Sequence, residues 1–413
     1  MAGLTFYRKE MVLVLLLLKN YYDNVIAGFW NQLFAIVALG ILAALYFGSL
    51  GVAWAVTGEF TRWGAHVLQF IGWDVSNYSY LKLINFTGTP LTRIDGVMVI
   101  GMFAGAFISA LLGQNVKVRI PTGRRIAQAL LGGIIAGFGT RLAMGCNLAA
   151  LFTGIPQFSF HAWLFTLGTI GGTYYGVKLS IYPLIMGNPK LMEVKEVGTA
   201  IENPVYYRIQ PYIGMLGLAF FIYYLLNLVS GNYSANLLLA IIFGFGFGFL
   251  IQKGQICFTS AFRDLWLIGR ANTAKALVWG MVVQTIITAV FLAKGMPPKV
   301  IWWAGPGALL GGVLFGVGIV IAGGCETGWM YRAVEGQVQF WFVGLGNVIG
   351  ATILTIGWDS GVFALLVEPF PRVDLAKNFG YAGAILVTIL MLFAVYLWAD
   401  WRQASKSRMI GRS

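Results

Sequence analysis

The chain has 413 residues, 58% of them apolar and 10% charged, where an ordinary soluble domain carries roughly 25% charged residues; this balance excludes such a domain and describes a polytopic membrane protein. The net charge of +13 would suit nucleic acid, but the Lys and Arg sit in short connections between apolar runs, which is positive-inside bias, so lipid is the partner and nucleic acid is not. Fourteen Trp, eighteen Tyr and thirty Phe fit many interface crossings, and 54 glycines fit close helix packing in lipid.

In chain order, residues 1–30 come first. Their apolar run, Met11 to Leu18, is shorter than the about 20 residues a bilayer needs. It follows Arg8 and Lys9 like the start of a signal peptide, yet Lys19, Asn20 and two tyrosines stand where a small-residue cleavage site would be. An interfacial segment on the cytoplasmic side is therefore expected. Ten runs are long enough to span: about 31–49, 94–113, 125–144, 159–178, 211–229, 235–252, 273–293, 306–323, 338–357 and 378–399. The connections bearing Lys117, Arg119, Arg124 and Arg125, the stretch from Lys178 to Arg208, the group Arg263, Arg270 and Lys275, and the tail with Arg402, Lys406, Arg408 and Arg412 are all basic. They fall on one side, which predicts cytoplasmic termini and leaves GNYSAN (231–236) and the segment 358–377 outside. The expected division is 1–30, a first repeat 31–178, a connector with a linking span 179–234, a second repeat 235–400 and a basic cytoplasmic tail 401–413.

The repeat rests on one comparison. GGIIAGFGTRLAMGC (132–146) and GGVLFGVGIVIAGGC (311–325) share seven of fifteen residues, and in both the cysteine follows the first glycine by fourteen positions. The first copy runs from inside to outside and the second from outside to inside, so the expected halves are inverted, five spans each. Inverted repeats build secondary transporters with a midplane site made of broken helices. Each half also holds a short segment expected to be re-entrant, GVAWAVTGEFTRWG (51–64) and GQICFTSAFRDLW (254–266); aligned on Thr57 and Thr259, they place Cys257 opposite Ala55. Glu59, Arg62, Arg263 and Asp264 in these segments must face protein, water or headgroups, because charge against lipid is costly.

GQICFTSAFRDLW, the duplicated helix ending in cysteine, and the tracts GEFTRWG (58–64), TPLTRIDG (89–96), RLAMGCNLAA (141–150) and AGGCETGWMYRAVEGQV (322–338) resemble the YeeE/YedE family of sulfur-related membrane transporters, in its branch associated with selenium metabolism. The resemblance covers about residues 30 to 400. It implies an hourglass-shaped, all-α inner-membrane protein of two pseudosymmetric halves, short helices pinched toward the centre, and an ion passed along central cysteines by S–H hydrogen bonds. Cys146 and Cys325 match the family's paired cysteines, and Cys257 matches the cysteine of the short segment in the second half. Ala55 stands where thiosulfate carriers have another cysteine, a departure compatible with a different sulfur or selenium species. The resemblance also implies a small cytoplasmic sulfur-carrier protein of the SirA/TusA type as partner.

All three cysteines of the chain lie in these motifs. A thiol is a weak donor and a soft, polarisable contact, suited to holding a sulfur or selenium atom loosely enough to release it. Asn147 beside Cys146, Glu326 and Thr327 beside Cys325, and Thr259 and Ser260 beyond Cys257 add polar contacts for an oxyanion. Arg141 either snorkels to the interface or offers charge to an arriving anion, and the second is the reading adopted. Glu326 requires Arg332, a helix N-terminus or a proton to offset its charge. The bland reading makes the cysteines small core residues, and the duplication of two of them weighs against it. No C-x-x-C occurs and only His66 and His161 are available as nitrogen ligands, so neither a metal nor any other cofactor is expected. A permease for a small sulfur- or selenium-containing anion is the expected function. The alternative is a relay in which a cysteine persulfide loads a carrier protein, and a transporter unrelated to sulfur is the third. The lack of a histidine beside any cysteine argues against an enzyme.

Overall fold

The structure is a computed structural model that describes residues 16, 17, 19–181, 204–231 and 234–410. Most of the expected interfacial run before Leu16 and most of the connector between the halves lie outside those residues. Within them the chain is helical, with three isolated β-bridges and no longer strand pairing. In chain order the longer helices are α1 (Gln32–Leu50), α2 (Thr57–Phe70), α3 (Ile94–Leu112), α4 (Gly123–Leu142), the π-helical α5 (Asn147–Gly154), α6 (Phe160–Ile181) and α7 (Pro204–Ser230). Then follow α8 (Ala235–Lys253), α9 (Phe258–Leu267), α10 (Asn272–Ala293), α11 (Pro306–Ala322), α12 (Glu326–Val334), α13 (Gln339–Gly357) and α14 (Leu375–Ile410), the last interrupted by non-helical Gly380.

Every expected span has a helix in its place. Eight stretches among the described residues are long and apolar enough to cross a bilayer, and nine if α4 and α5, bent by 45°, form one broken span. The tenth expected span, α6, has the length, 22 residues, but is too polar to join them. Its His161, Thr166, Thr169 and Thr173 are buried on the side packed against α11 and α9, while Leu167, Tyr175, Leu179 and Ile181 are exposed. The tail after residue 400 is the continuation of α14.

The connections gather at two ends. At the basic end, Lys117 N–H donates to Glu335 O (2.8 Å), Arg119 N–H to Gly336 O (2.8 Å) and Tyr22 O–H to Leu112 O (2.8 Å). At the far end, Leu375 N–H donates to Phe158 O (2.9 Å) and Ala304 N–H to Pro371 O (2.9 Å). Between the ends, helices pack in matched pairs: α3 on α8 and α10 on α1, α6 on α11 and α13 on α4, α7 on α3 and α14 on α10.

At the centre α4 crosses α11 through glycines. A Cβ on Gly318 would stand 2.7 Å from Gly132 O, and one on Gly311 would stand 2.6 Å from Gly139 O. These are one contact seen twice, since Gly132 corresponds to Gly311 and Gly139 to Gly318 in the repeated tract. The lower-numbered glycine of each helix meets the higher-numbered one of the other, so the two run antiparallel. Without side chains the backbones approach closely, which supplies the packing that association in lipid depends on.

Gly139→Leu should therefore force backbone against backbone and cost about 1–3 kcal/mol or more, read as a lower melting temperature in detergent. Gly171→Leu, at a position where a Cβ meets nothing within 4 Å, should change it little.

Candidate functional site

Three long helices end on the same backbone device. A residue in the left-handed region closes the helix: Met144 (φ 56°) after α4, Gln255 (φ 47°) after α8 and Gly323 (φ 84°) after α11. Two residues later stands a cysteine with non-helical backbone angles, and it is the N-cap of the next, short helix: Cys146 for α5, Cys257 for α9, Cys325 for α12. Left-handed backbone comes free to glycine but costs a residue with a Cβ roughly 1–2 kcal/mol, so Met144 and Gln255 hold strain that sets the cysteines in place. Each thiol thereby sits at the N-terminal end of a helix, where unbonded N–H groups and the positive end of the dipole face outward. Cys146 Sγ accepts from Leu148 N–H at 3.4 Å. In the first short segment the N-cap of α2 is Val56.

These helix ends meet. Cys257 Sγ is 3.8 Å from Cys325 Sγ, both thiols are free, and all three cysteines are buried. Gly328 leaves room for this pair, since a Cβ there would come within 2.5 Å of Cys257 Sγ. Cys146, on α5, lies within electrostatic range of Glu326 on α12 and of Arg141 on α4. Arg141 is 5% exposed and donates to Thr57 Oγ1 at the start of α2, which ties α4 to the first short segment instead of snorkelling out. Aromatic rings surround the junction: Phe60 to Trp329 at 5.3 Å, Phe152 to Phe258 at 5.4 Å and Trp54 stacked on Phe247 at 4.1 Å.

The remaining expected residues divide by whether their polar atoms are already used. Ser260 is spent locally, donating to Cys257 O at 2.6 Å, and Thr327 Oγ1 lies 3.2 Å from Cys325 Sγ. By contrast Arg141 Nε, both amide atoms of Asn147, Thr259 Oγ1 and Glu326 Oε2 are buried without a hydrogen-bond partner. Each unsatisfied buried atom costs about 1–3 kcal/mol. These five atoms belong to residues around the three cysteines, and each calls for an explanation. Arg332 does not pair with Glu326, because it bonds the Tyr331 hydroxyl and Gly323 O, both at 3.0 Å. The partner of Glu326 is instead Asn347 on α13, whose Nδ2 donates to Oε1 at 2.8 Å. Sequence reasoning missed Asn347, although an amide inside GLGNVIG is a polar residue at membrane depth and a functional signal.

The charges of the short segments neutralise one another. Buried Glu59 accepts from Arg93 (2.5 and 2.9 Å), Arg62 (3.3 Å) and Trp63 (3.0 Å), Arg62 also reaches Asp95 at 2.9 Å, and Arg263 pairs with Asp264 at 2.8 Å. Among the described residues no group of His, Cys, Asp and Glu has the arrangement to hold a metal ion.

Broken helices converging on a buried polar junction within a bundle of apolar spans define a polytopic membrane transport protein. Residues 16–175 and, separately, 253–412 match the family model described as sulphur transport, and the chain belongs to that family. It is 52% identical over 393 residues to "Probable transporter YedE" of Salmonella typhimurium, covering 93% of this chain and 96% of the relative. It is 51% identical over 370 residues to "Probable transporter YedE" of Escherichia coli, covering 89% and 91%. More distantly, 28% identity over 167 residues relates it to "Thiosulfate transporter TsuA" of Escherichia coli, covering 39% and 46%. No solved structure matches the chain. The relatives are named as transporters, and this chain is a transporter rather than an enzyme.

The short Cys257–Cys325 approach makes these two a dithiol. Phenylarsine oxide should bridge them, adding one reagent per protein by intact mass, and Cys325→Ala should abolish monothiol-resistant retention of the reagent.

Proposed function

We propose that the chain is a multi-pass permease of the bacterial inner membrane for a small sulfur- or selenium-containing oxyanion, with both termini in the cytoplasm. The observation that carries this reading is the junction itself: three thiols at helix N-caps beside five buried polar atoms that have no partner within the described residues. An oxyanion arriving there meets the N–H groups of the short helices, the Asn147 amide, the Thr259 hydroxyl and the Arg141 guanidinium, while Cys146, Cys257 and Cys325 offer soft contacts to its sulfur or selenium. Each helix end contributes about 0.3–1 kcal/mol, enough together to draw an anion out of water and little enough singly to release it.

The antiparallel crossing of α4 on α11 and the matched helix pairs support inverted halves, with the first repeat within 31–178 and the second within 235–400. The relatives named for thiosulfate support a sulfur oxyanion, and Ala55 opposite Cys257 supports a cargo other than thiosulfate itself, such as a selenium species. The basic end supplies a docking face for an acidic sulfur-carrier protein of the SirA/TusA type. A persulfide relay is less well supported, because it needs a base at a thiol: His66 approaches Arg93 and His161 bonds Ser159.

In proteoliposomes, uptake of labelled thiosulfate, selenite and related ions should fall about tenfold or more, about 1.4 kcal/mol in barrier, in Cys146→Ala and in Cys325→Ala. Retained full uptake by the double variant would reduce the cysteines to packing residues, and an obligatory covalent sulfur adduct by mass spectrometry would favour the relay.

Arg119, Arg124 and Arg125 are exposed at the basic end. Reversing their charge should weaken capture of a purified SirA/TusA-type protein in a salt-dependent manner, and capture indifferent to the reversal would exclude this face.

A further inference from the structure

We propose that Glu326 carries a proton across with each anion, so that the permease is a proton-coupled symporter; this rests on the anion-permease reading above.

Glu326 opens α12 at the junction and is 2% exposed. Its Oε1 accepts from Asn347 Nδ2 at 2.8 Å, and its Oε2 is buried with no partner. Among the described residues no cation stands within ion-pair distance of it. The charged and titratable groups that face it are accounted for. From α4 comes Arg141, which is bonded to Thr57. From α5 comes Cys146, from α9 Cys257, and beside it stands Cys325. α13 presents the neutral Asn347, and α3 and α2 present Phe103 and Phe60 against neighbouring Trp329. Elsewhere on α12, Arg332 is bonded to Tyr331 and Gly323, and Glu335 to Gln252 and Gln255.

A buried carboxylate with no cation in ion-pair contact is strongly disfavoured, and one beside an arriving anion is more so. A carboxylic acid removes both difficulties. The Asn347 bond leaves Oε1 as the carbonyl oxygen and Oε2 as the hydroxyl, a donor whose only missing partner is an acceptor. An oxyanion supplies that acceptor, so its binding selects the protonated side chain. When the anion leaves, the O–H bond breaks, the proton departs to the same compartment and Glu326 is left as carboxylate. A proton taken from the opposite compartment restores the acid before the next anion binds. The balance is one proton moved per anion, in the same direction, with no redox change. This also assigns a distinct task to Glu326, a residue that would otherwise repel the cargo.

The test uses the full chain in proteoliposomes with labelled thiosulfate and labelled selenite as probes, comparing uptake with the outside more acidic than the inside against uptake at equal pH. The wild type should show several-fold faster uptake and transient accumulation under the gradient. In Glu326→Gln, which keeps the shape and the Asn347 contact but cannot release a proton, the ratio of the two rates should fall to about one. Uptake by the wild type that ignores the gradient, or a gradient effect that survives in Glu326→Gln, overturns the coupling while leaving the permease reading intact. No uptake of labelled thiosulfate, selenite or related ions by the wild type under either condition overturns both. Infrared difference spectra in detergent provide a readout independent of flux. Added thiosulfate should perturb a carboxylic-acid carbonyl band that Glu326→Gln lacks, and absence of such a band from the wild type overturns the proposal.

Discussion

The structure depends on how an interrupted helix is tolerated at membrane depth. Ending a helix leaves N–H and C=O groups without partners, and the bilayer provides no water to satisfy them. Here the breaks are buried in protein. The bare glycine backbones of α4 and α11 cross so closely that the bundle closes around the broken ends, and α6 and α13 seal them from either side. A bulkier crossing would separate the helices and expose the breaks, so the glycines and the thiols belong to one construction.

The same construction explains why the cysteines sit at N-caps. The usual side chains there, Ser, Thr, Asp and Asn, satisfy the first N–H groups strongly. A thiol caps weakly, leaving those donors available to something else. The unpartnered atoms of Arg141, Asn147, Thr259 and Glu326 are likewise left unsatisfied by the junction's own side chains. The ion-paired cluster of Glu59, Arg62, Arg93 and Asp95 is the contrasting case: its charges complete one another, and it anchors α2 to α3.

The left-handed residues before each cysteine connect strain to position. Gly323 adopts its backbone freely, whereas Met144 and Gln255 do so at a cost. Three residues after each of them the chain restarts as a helix, and this fixed interval aims the first turns of α5, α9 and α12 at the junction. The repeated tract thus preserves the glycine-to-cysteine spacing while its side chains diverge, from Arg141 in one copy to Val320 in the other.

The sequence alone determined the membrane setting, the places of the spans and the duplicated glycine helix with its cysteines. Those features are written in local composition, apolar run length and repeat spacing, which need no knowledge of neighbours. The run 159–178 reads as a span by its length, and a helix rich in Thr and Gly stands there. Only the tertiary structure brought Cys257, alone in its short segment, to within 3.8 Å of Cys325, placed the cysteines at helix N-caps, and gave Glu326 to Asn347 rather than to Arg332. Each of these depends on where helices distant in the chain cross, and that is decided by which glycine backbones can approach without a Cβ between them.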